Sequence, residues 1–175
     1  MERKTVTVFG SSLPVKGESE YEDAYLIGKL LAQNNLNVCS GGFQGIMDAV
    51  SKGAVEYGSE AIGITVDLFN AKPSQHLTNE IKCNTLFERI DKLISYGDAY
   101  IILPGGTGTL VELSLVWESI NKGLIKKKPI VCYGAMWKNI TDEMKKRIDS
   151  EGRETNLVLS FDQIEKCVEY IKAEI

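Results

Sequence analysis

The sequence predicts an α/β protein with a doubly wound parallel sheet, covered by helices on both faces to give three layers. Short apolar runs alternate with segments of helical apolar spacing along the whole chain, a pattern typical of parallel strands joined by crossover helices. The strand-like runs are almost continuously apolar, as strands buried on both faces are. Three of these runs lead directly into loops rich in glycine or serine. Because ligands bind where parallel strands end in a Rossmann-like sheet, we expect these loops to form one site.

The length and composition favour a single domain covering residues 1–175. A chain of 175 residues with 43% hydrophobic and 25% charged residues is ordinary for a globular domain. The net charge of −4 disfavours a nucleic-acid partner. No apolar run approaches the roughly 18 residues that a membrane span needs, and no signal-like segment precedes the first strand. We therefore expect no membrane partner and a cytoplasmic location.

Side chains that commonly hold metals or form disulfides are sparse. His76 is the single histidine, and the four cysteines are scattered without a C-x-x-C pair. We expect a structural or surface role for His76, and buried, reduced thiols for the cysteines. The sequence thus disfavours a metal site built from histidines or cysteines, and we expect neither a metal nor an organic cofactor.

The first part of the chain alternates strands and helices. In order, the pattern predicts a strand at 5–9, a helix from 19 or 20 to about 33, a strand at 36–39, a helix from 46 and a strand at 61–66. β-branched residues fill the first strand, and apolar residues recur at helical spacing in the helices. Residues 67–80 are polar, contain Pro73 and His76 and show no clear period. We interpret them as a loop over the ligand edge of the sheet.

The second part continues the alternation. It predicts a short strand at 81–83, a helix at 86–97, a strand at 99–103, a helix to about 122, a strand at 129–133, a helix at 137–150, an edge strand at 157–159 and a last helix at 161–175. In the helix that ends near 122, the spacing predicts that Leu110 and Trp117 are buried.

One stretch, residues 99–112, organises the rest of the chain. It reads A-Y-I-I-L-P-G-G-T-G-T-L-V-E, which predicts a strand, a tight turn after Pro104 and a helix that begins near Thr107. The first turn of a helix presents unpaired N–H groups and the positive end of the helix dipole. Glycine lets the backbone approach a ligand closely. We interpret this junction as a phosphate site.

Glu112 is unusual beside a phosphate site, because like charges repel. A helix that begins near Thr107 places Glu112 in its second turn, within reach of a sugar attached to the phosphate. One interpretation is that Glu112 performs chemistry on that sugar. The other, equally open on spacing alone, is that its charge favours the dipole of its own helix.

Two familiar phosphate loops do not fit. A P-loop needs a lysine after its glycines, and no glycine run here has one. A dinucleotide fingerprint needs G-x-G-x-x-G after the first strand, whereas the loop at Gly10 has one glycine and two serines. The sequence therefore disfavours P-loop NTP hydrolysis and NAD binding.

The segment 104–112, P-G-G-T-G-T-L-V-E, resembles the P-G-G-x-G-T-x-x-E motif of the LOG (Lonely Guy) phosphoribohydrolases, often misnamed lysine decarboxylases. Arg89 matches the family's other signature, an arginine on the preceding helix. Further matches are F-G-S-S at 9–12 and G-G-F-Q-G-I-M at 41–47. The resemblance covers most of the chain and is weakest in the C-terminal part.

The resemblance implies hydrolysis of the N-glycosidic bond of a nucleoside 5′-monophosphate, AMP or an N6-substituted (cytokinin-type) adenine nucleotide, to free base and ribose 5-phosphate. It implies that Arg89 and Glu112 are catalytic. The substrate-binding residues that it implies are Gly10, Ser11, Ser12, Gly41, Gly42, Gly45, Met47, Pro104, Gly105, Gly106, Thr107, Gly108 and Thr109. It also implies a homodimer, for which the apolar helices 86–94 and 110–120 offer a symmetric surface.

The chemistry agrees with these roles. Glycosidic cleavage passes through an oxocarbenium-like state, which a carboxylate such as Glu112 can stabilise, or assist by taking a proton from water. Arg89 stays protonated, so its role is to hold oxygens and to keep Glu112 ionised. The alternative for Arg89 is an ion-pair partner on a solvated helix face, beside Glu88 and Lys92.

Four positions depart from the family pattern. Thr107, Ile90, Val111 and Asp48 stand where the family usually has Tyr, Lys, Glu and Gly. They keep open a non-catalytic alternative, a nucleotide or molybdenum-cofactor carrier of the related fold. Pyridoxal-phosphate decarboxylation is disfavoured, because no lysine stands in a suitable context.

Overall fold

The computed structural model describes residues 3–175, which form seven strands and six α-helices. In chain order these are β1 (Thr5–Phe9), α1 (Ser19–Gln33), β2 (Asn37–Ser40), α2 (Ile46–Glu56), β3 (Ala61–Val66), β4 (Asn79–Cys83), α3 (Leu86–Tyr96), β5 (Ala99–Ile102), α4 (Thr107–Asn121), β6 (Ile130–Tyr133), α5 (Ala135–Ser150), β7 (Val158–Phe161) and α6 (Ile164–Glu174). A short 3₁₀ helix, Asp67–Phe69, follows β3.

The sheet is parallel at every strand pair and has the order β4-β3-β2-β1-β5-β6-β7. The chain builds outward from β1 to β4 on one side and then returns to place β5 on the other side of β1. The crossover connection that follows β1 and the one that follows β5 therefore run to opposite sides of the sheet. This leaves a crevice at the carboxyl ends of these two strands. This confirms the predicted doubly wound fold and locates the site beside the stretch 99–112.

Helices cover both faces of the sheet, so the predicted three layers are confirmed. The core on one face is formed with α1, α2 and α6, and the core on the other with α3, α4 and α5. Strand β5 shows why the apolar runs are continuous: Tyr100 and Ile102 pack into one core, and Ile101 packs into the other. Since successive side chains in a strand point to opposite faces, both sets must be apolar when both faces are covered.

Several boundaries differ from those predicted. The segment 67–80 is not entirely loop, because it contains the 3₁₀ helix and the first two residues of β4. Asn79 and Glu80 are exposed on this edge strand, so their polar side chains resemble those of a loop in the sequence. The last helix begins at Ile164 rather than Phe161, because Phe161 belongs to β7 and pairs with Tyr133. Leu110 was predicted to be buried but is 40% exposed on α4.

The four cysteines are buried and free, as predicted. Among the described residues, no helix is both long and apolar enough to span a membrane.

Candidate active site

The three predicted loops meet at the carboxyl ends of β1, β2 and β5. The loop after β1 lies between the other two, and backbone hydrogen bonds join all three. The Ser11 N–H donates to the Pro104 carbonyl at 3.0 Å, and the Ile46 N–H donates to the Ser11 carbonyl at 2.9 Å. The predicted convergence of the loops is therefore confirmed.

A cavity of about 570 Å³ opens above these loops, within the usual size range of small-molecule sites. It is lined by Gly10, Ser11, Ser12, Leu13, Phe43, Met47, Phe69, Ala71, Arg89, Gly106, Thr107, Gly108, Thr109 and Glu112. The lining contains both predicted catalytic residues and most of the predicted substrate-binding residues.

The other five predicted binding residues do not line the cavity. Gly41 accepts a hydrogen bond from Arg89, Gly42 accepts one from the Ser74 N–H, and Pro104 accepts the bond from Ser11. Gly45 has a φ of 69° and lies so close to the serine loop that a side chain would overlap the Ser12 backbone. A side chain on Gly105 would overlap the Thr109 hydroxyl. These residues shape the site from outside the lining, and their direct contact with a ligand stays a prediction.

Arg89 is buried, with only 6% of its surface exposed. Its Nε donates to the Ile64 carbonyl at 2.8 Å and its Nη2 to the Gly41 carbonyl at 3.1 Å. The interpretation of Arg89 as a solvated ion-pair partner is therefore wrong. Its neighbours Glu88 and Lys92 pair with each other instead, at 2.9 Å.

Glu112 lies beside Arg89 in the wall of the cavity. Its Oε1 lies 3.8 Å from Arg89 Nη1, and its side chain is 14% exposed. This distance is too long for a hydrogen bond, so the carboxylate remains free to contact a ligand. Glu112 lies in the second turn of α4, beyond the first turn in which the helix dipole is strong. Its burial beside Arg89 thus favours the chemical interpretation over the dipole interpretation.

Burial shifts the pKa of both Glu112 and Arg89. It raises the pKa of the Glu112 carboxyl to about 7, although the Arg89 charge acts in the opposite direction. Burial also lowers the pKa of Arg89, which Glu112 partly offsets. At neutral pH the carboxyl is therefore poised between its two protonation states, as an acid–base catalyst needs.

The N-terminus of α4 faces the cavity with no side-chain cap. Gly106 is the N-cap residue and has no side chain to satisfy the first-turn N–H groups. Thr107, Gly108 and Thr109 follow in that first turn, and all three line the cavity. The geometry suits an anion such as phosphate.

Two aromatic side chains form another wall: Phe43, in the loop 41–45 that the sequence assigns to the site, and Phe69, which the sequence does not assign to it. The Arg89 guanidinium carbon lies 5.6 Å from the ring centroid of Phe43 and 5.7 Å from that of Phe69. The two rings meet edge to face with centroids 5.9 Å apart. Phe69 and Ala71 come from the segment 67–80, which was expected to cover this edge. The signal for Phe69 was the apolar pair Leu68-Phe69 inside an otherwise polar stretch.

Across residues 3–175, no cluster of three or more His, Cys, Asp or Glu side chains could hold a metal ion.

The SLOG cluster4 family model matches residues 3–168. The chain belongs to this family. It is 30% identical over 134 residues to the cytokinin riboside 5′-monophosphate phosphoribohydrolase of Rhodococcoides fascians, covering 73% of this chain and 66% of that protein. The corresponding protein of Mycobacterium marinum is 32% identical over 132 residues, with 74% and 70% covered. The resemblance to the LOG proteins is thus confirmed.

A third relative has a different name. The pyrimidine/purine nucleotide 5′-monophosphate nucleosidase of Escherichia coli K12 is 35% identical over 105 residues, covering 55% of this chain but 23% of that protein. The chain therefore spans about two thirds of the length of the two bacterial phosphoribohydrolases and about a quarter of the nucleosidase.

Solved structures with the same fold include cofactor carriers. The molybdenum cofactor binding protein of Rippkaea orientalis superposes with a TM-score of 0.79 at 22% identity, covering 99% of this chain and 98% of that one. The molybdenum cofactor carrier protein of Chlamydomonas reinhardtii gives 0.78 at 21% identity, with 98% of each chain covered. At these identities the similarity concerns the fold.

Proposed function

We propose that the protein is a nucleoside 5′-monophosphate phosphoribohydrolase, which uses water to cleave AMP or an N6-substituted adenosine monophosphate into free base and ribose 5-phosphate. The observation that carries the proposal is the pair formed by the buried Arg89 and the largely buried Glu112, 3.8 Å apart. The pair lies in the wall of a cavity that also contains the uncapped N-terminus of α4.

The division of roles follows from the position of each group. The 5′-phosphate binds at the first turn of α4, where Gly106 to Thr109 present backbone N–H groups and the positive end of the helix. The ribose then lies beside Glu112, in the next turn. The ionised carboxylate stabilises the positive charge that develops on the sugar, or takes a proton from the attacking water. Arg89 offsets the repulsion between the phosphate and Glu112, since its guanidinium lies beside the carboxylate.

The residues that depart from the family motif differ in whether they line the cavity. Ile90 is 5% exposed and packs in the core, and Val111 is 51% exposed on α4; neither lines the cavity. Thr107 does line it. Of these three, we therefore propose that Thr107 alone affects substrate preference directly. The relatives that are named for cytokinin nucleotides and for pyrimidine and purine nucleotides support nucleotide monophosphates as the substrate class.

A base-release assay tests the proposal. Purified protein is incubated with AMP, N6-isopentenyl-AMP, GMP, CMP and UMP, and free base and ribose 5-phosphate are measured by chromatography. We expect stoichiometric release of both from at least one adenine nucleotide. Tight binding without release would support the carrier alternative, and release from none of the monophosphates would refute the hydrolase.

The variant that tests the role of Glu112 is Glu112→Gln, which removes the charge of the side chain but keeps nearly the same shape. We expect nucleotide binding to persist while kcat falls by at least about a hundredfold, the usual scale for loss of an acid–base or electrostatic catalyst. Calorimetry with AMP measures the binding. Turnover that survived this change would remove Glu112 from the mechanism.

We also propose that the protein is a homodimer. Helices α3 and α4 expose large apolar side chains: Phe87 is 82% exposed, Val111 51% and Leu115 42%. Exposed apolar residues of this size on the helices that carry Arg89 and Glu112 are typical of an interface.

A further inference from the structure

The segment 67–78 carries Phe69 to the cavity and is held at few points. The Gln44 side chain donates to the Lys72 carbonyl at 3.1 Å, the Thr78 N–H donates to the Ala61 carbonyl at 2.9 Å, and Ser74 is held from α2. Every residue from 67 to 80 is exposed or half-buried except Ser74, which is 6% exposed. Ser74 is therefore the one buried anchor of the segment that carries Phe69, which is itself 49% exposed.

Ser74 is fixed by a carboxylate in the first turn of α2. Its hydroxyl donates to Asp48 Oδ1 at 2.6 Å, and its N–H donates to the Gly42 carbonyl at 2.8 Å. The second oxygen of the carboxylate, Asp48 Oδ2, accepts a hydrogen bond at 2.7 Å from the hydroxyl of Tyr21, which is 7% exposed on α1. Both oxygens of Asp48 are thus occupied by donors from other segments.

The donor in the hydrogen bond between Tyr21 and Asp48 is fixed. Burial and the neighbouring carboxylate raise the pKa of the Tyr21 phenol, so it keeps its proton and remains a donor. Tyr21 consequently orients Asp48, and Asp48 orients Ser74. Helices α1 and α2 are rigid elements packed against each other, so these bonds hold Ser74 to a fixed base.

We propose that Asp48 is a positioning residue: through Ser74 it holds the segment 67–78 so that Phe69 closes the cavity beside Phe43 and Arg89. This inference rests on the proposed function for its effect on substrate. The ring of Phe69 faces the ligand space, and planar bases stack on aromatic rings. Loss of Asp48 therefore weakens nucleotide binding and leaves the reacting groups, Glu112 and Arg89, in place.

The chain supplies a matched control. Tyr25, one turn after Tyr21 on α1, donates to Glu56 on α2 at 2.6 Å. Tyr25 and Glu56 are not part of the cavity lining. Tyr25→Phe thus removes a bond of the same kind between the same two helices, away from the segment.

The first readout does not depend on activity. Hydrogen exchange of residues 67–78, measured by mass spectrometry in the ligand-free protein, is expected to accelerate by about tenfold or more in Asp48→Ala and Ser74→Ala. Asp48→Asn, which keeps one acceptor oxygen, is expected to restore most of the protection, and Tyr25→Phe to leave it unchanged. Equal exchange in the wild type and both alanine variants would overturn the proposal, whether or not the protein hydrolyses nucleotides.

The second readout is kinetic. We expect Asp48→Ala to raise the KM for the nucleotide by about tenfold while kcat changes less than about threefold. In a Phe69→Ala background the same substitution is expected to raise KM by less than about twofold, because Asp48 acts through Phe69. A full tenfold effect in that background, or a fall in kcat alone, would overturn the proposal. If Asp48→Ala does not fold, Ser74→Ala takes its place in both backgrounds.

Discussion

At the scale of single residues, the site is built at a cost to stability. Glu112 is ionised only against the penalty of its burial, which exceeds the attraction of Arg89 and raises the pKa of the carboxyl from 4.5 to about 7. The unfolded chain has no such penalty. A charge kept in an unfavourable place for chemistry is a common reason why sites reduce stability.

The residue-scale prediction concerns Glu112→Gln. Because the pKa is higher in the folded state, the wild type loses stability as the pH rises from about 4.5 to about 7, whereas the variant has no proton to lose. The variant is expected to match the wild type near pH 4, below both pKa values, and to exceed its free energy of unfolding by up to about 3 kcal/mol at pH 8. Urea unfolding at each pH measures this difference.

The control for this prediction is Glu88→Gln on α3. The Asn84 N–H and Lys92 lower the pKa of Glu88, so its replacement is expected to give no gain at pH 8. A stability difference for Glu112→Gln that did not change with pH would contradict the assigned pKa shift.

At the scale of elements, α1 and α2 provide the rigid base on which the segment 67–78 is fixed. The two helices approach so closely that a side chain on Gly28 would overlap the Val50 carbonyl, and one on Gly53 would overlap the Tyr25 carbonyl. Glycine at these two positions therefore sets the distance between the helices, and with it the distance between Tyr21 and Asp48.

The element-scale prediction compares two glycine-to-alanine changes. Gly28→Ala forces α1 away from α2 and is expected to destabilise the protein by about 1–3 kcal/mol. Gly108→Ala on α4 meets no atom within 4 Å, so it is expected to be neutral or to stabilise by up to about 1 kcal/mol through helix propensity. Urea unfolding at pH 7 measures both. Equal changes in the two variants would contradict the close packing of α1 on α2.

At the scale of the whole molecule, the two helix layers have different surfaces. The exposed apolar side chains of α3 and α4, Phe87, Val111 and Leu115, lie in the same layer as Arg89 and Glu112. An interface there would bury apolar surface immediately outside the site.

The whole-molecule prediction is that Leu115→Glu converts the proposed dimer to a monomer, because it would place a charge in the proposed apolar interface. Light scattering coupled to size-exclusion chromatography measures the mass. Val55→Glu is the control: Val55 is similarly exposed, at 37%, but lies on α2 in the opposite layer, and the variant is expected to remain dimeric. A wild-type monomer at micromolar concentration would refute the dimer.

Much of the fold follows from the sequence because its signals are local. The continuous apolar strands such as 99–103, the helical spacing and the glycine loops are sufficient for the doubly wound sheet and for the convergence of three loops. The two edge strands carry weaker sequence signals. Asn79 and Glu80 resemble loop residues and Phe161 resembles the start of a helix, because a strand at an edge has only one neighbour and fewer constraints on its side chains.

By itself, the sequence determined the parallel sheet, the edge at which the site lies, and the candidate pair Arg89 and Glu112, since each depends on short-range pattern or on a motif. Only the tertiary structure decided that Arg89 is buried rather than solvated, that burial brings the pKa of Glu112 close to neutrality, and that Asp48 meets Ser74 and Tyr21. These properties depend on the dielectric surroundings and on contacts between segments that are distant in the chain. Such contacts are set when helices and loops pack, and local spacing does not encode them.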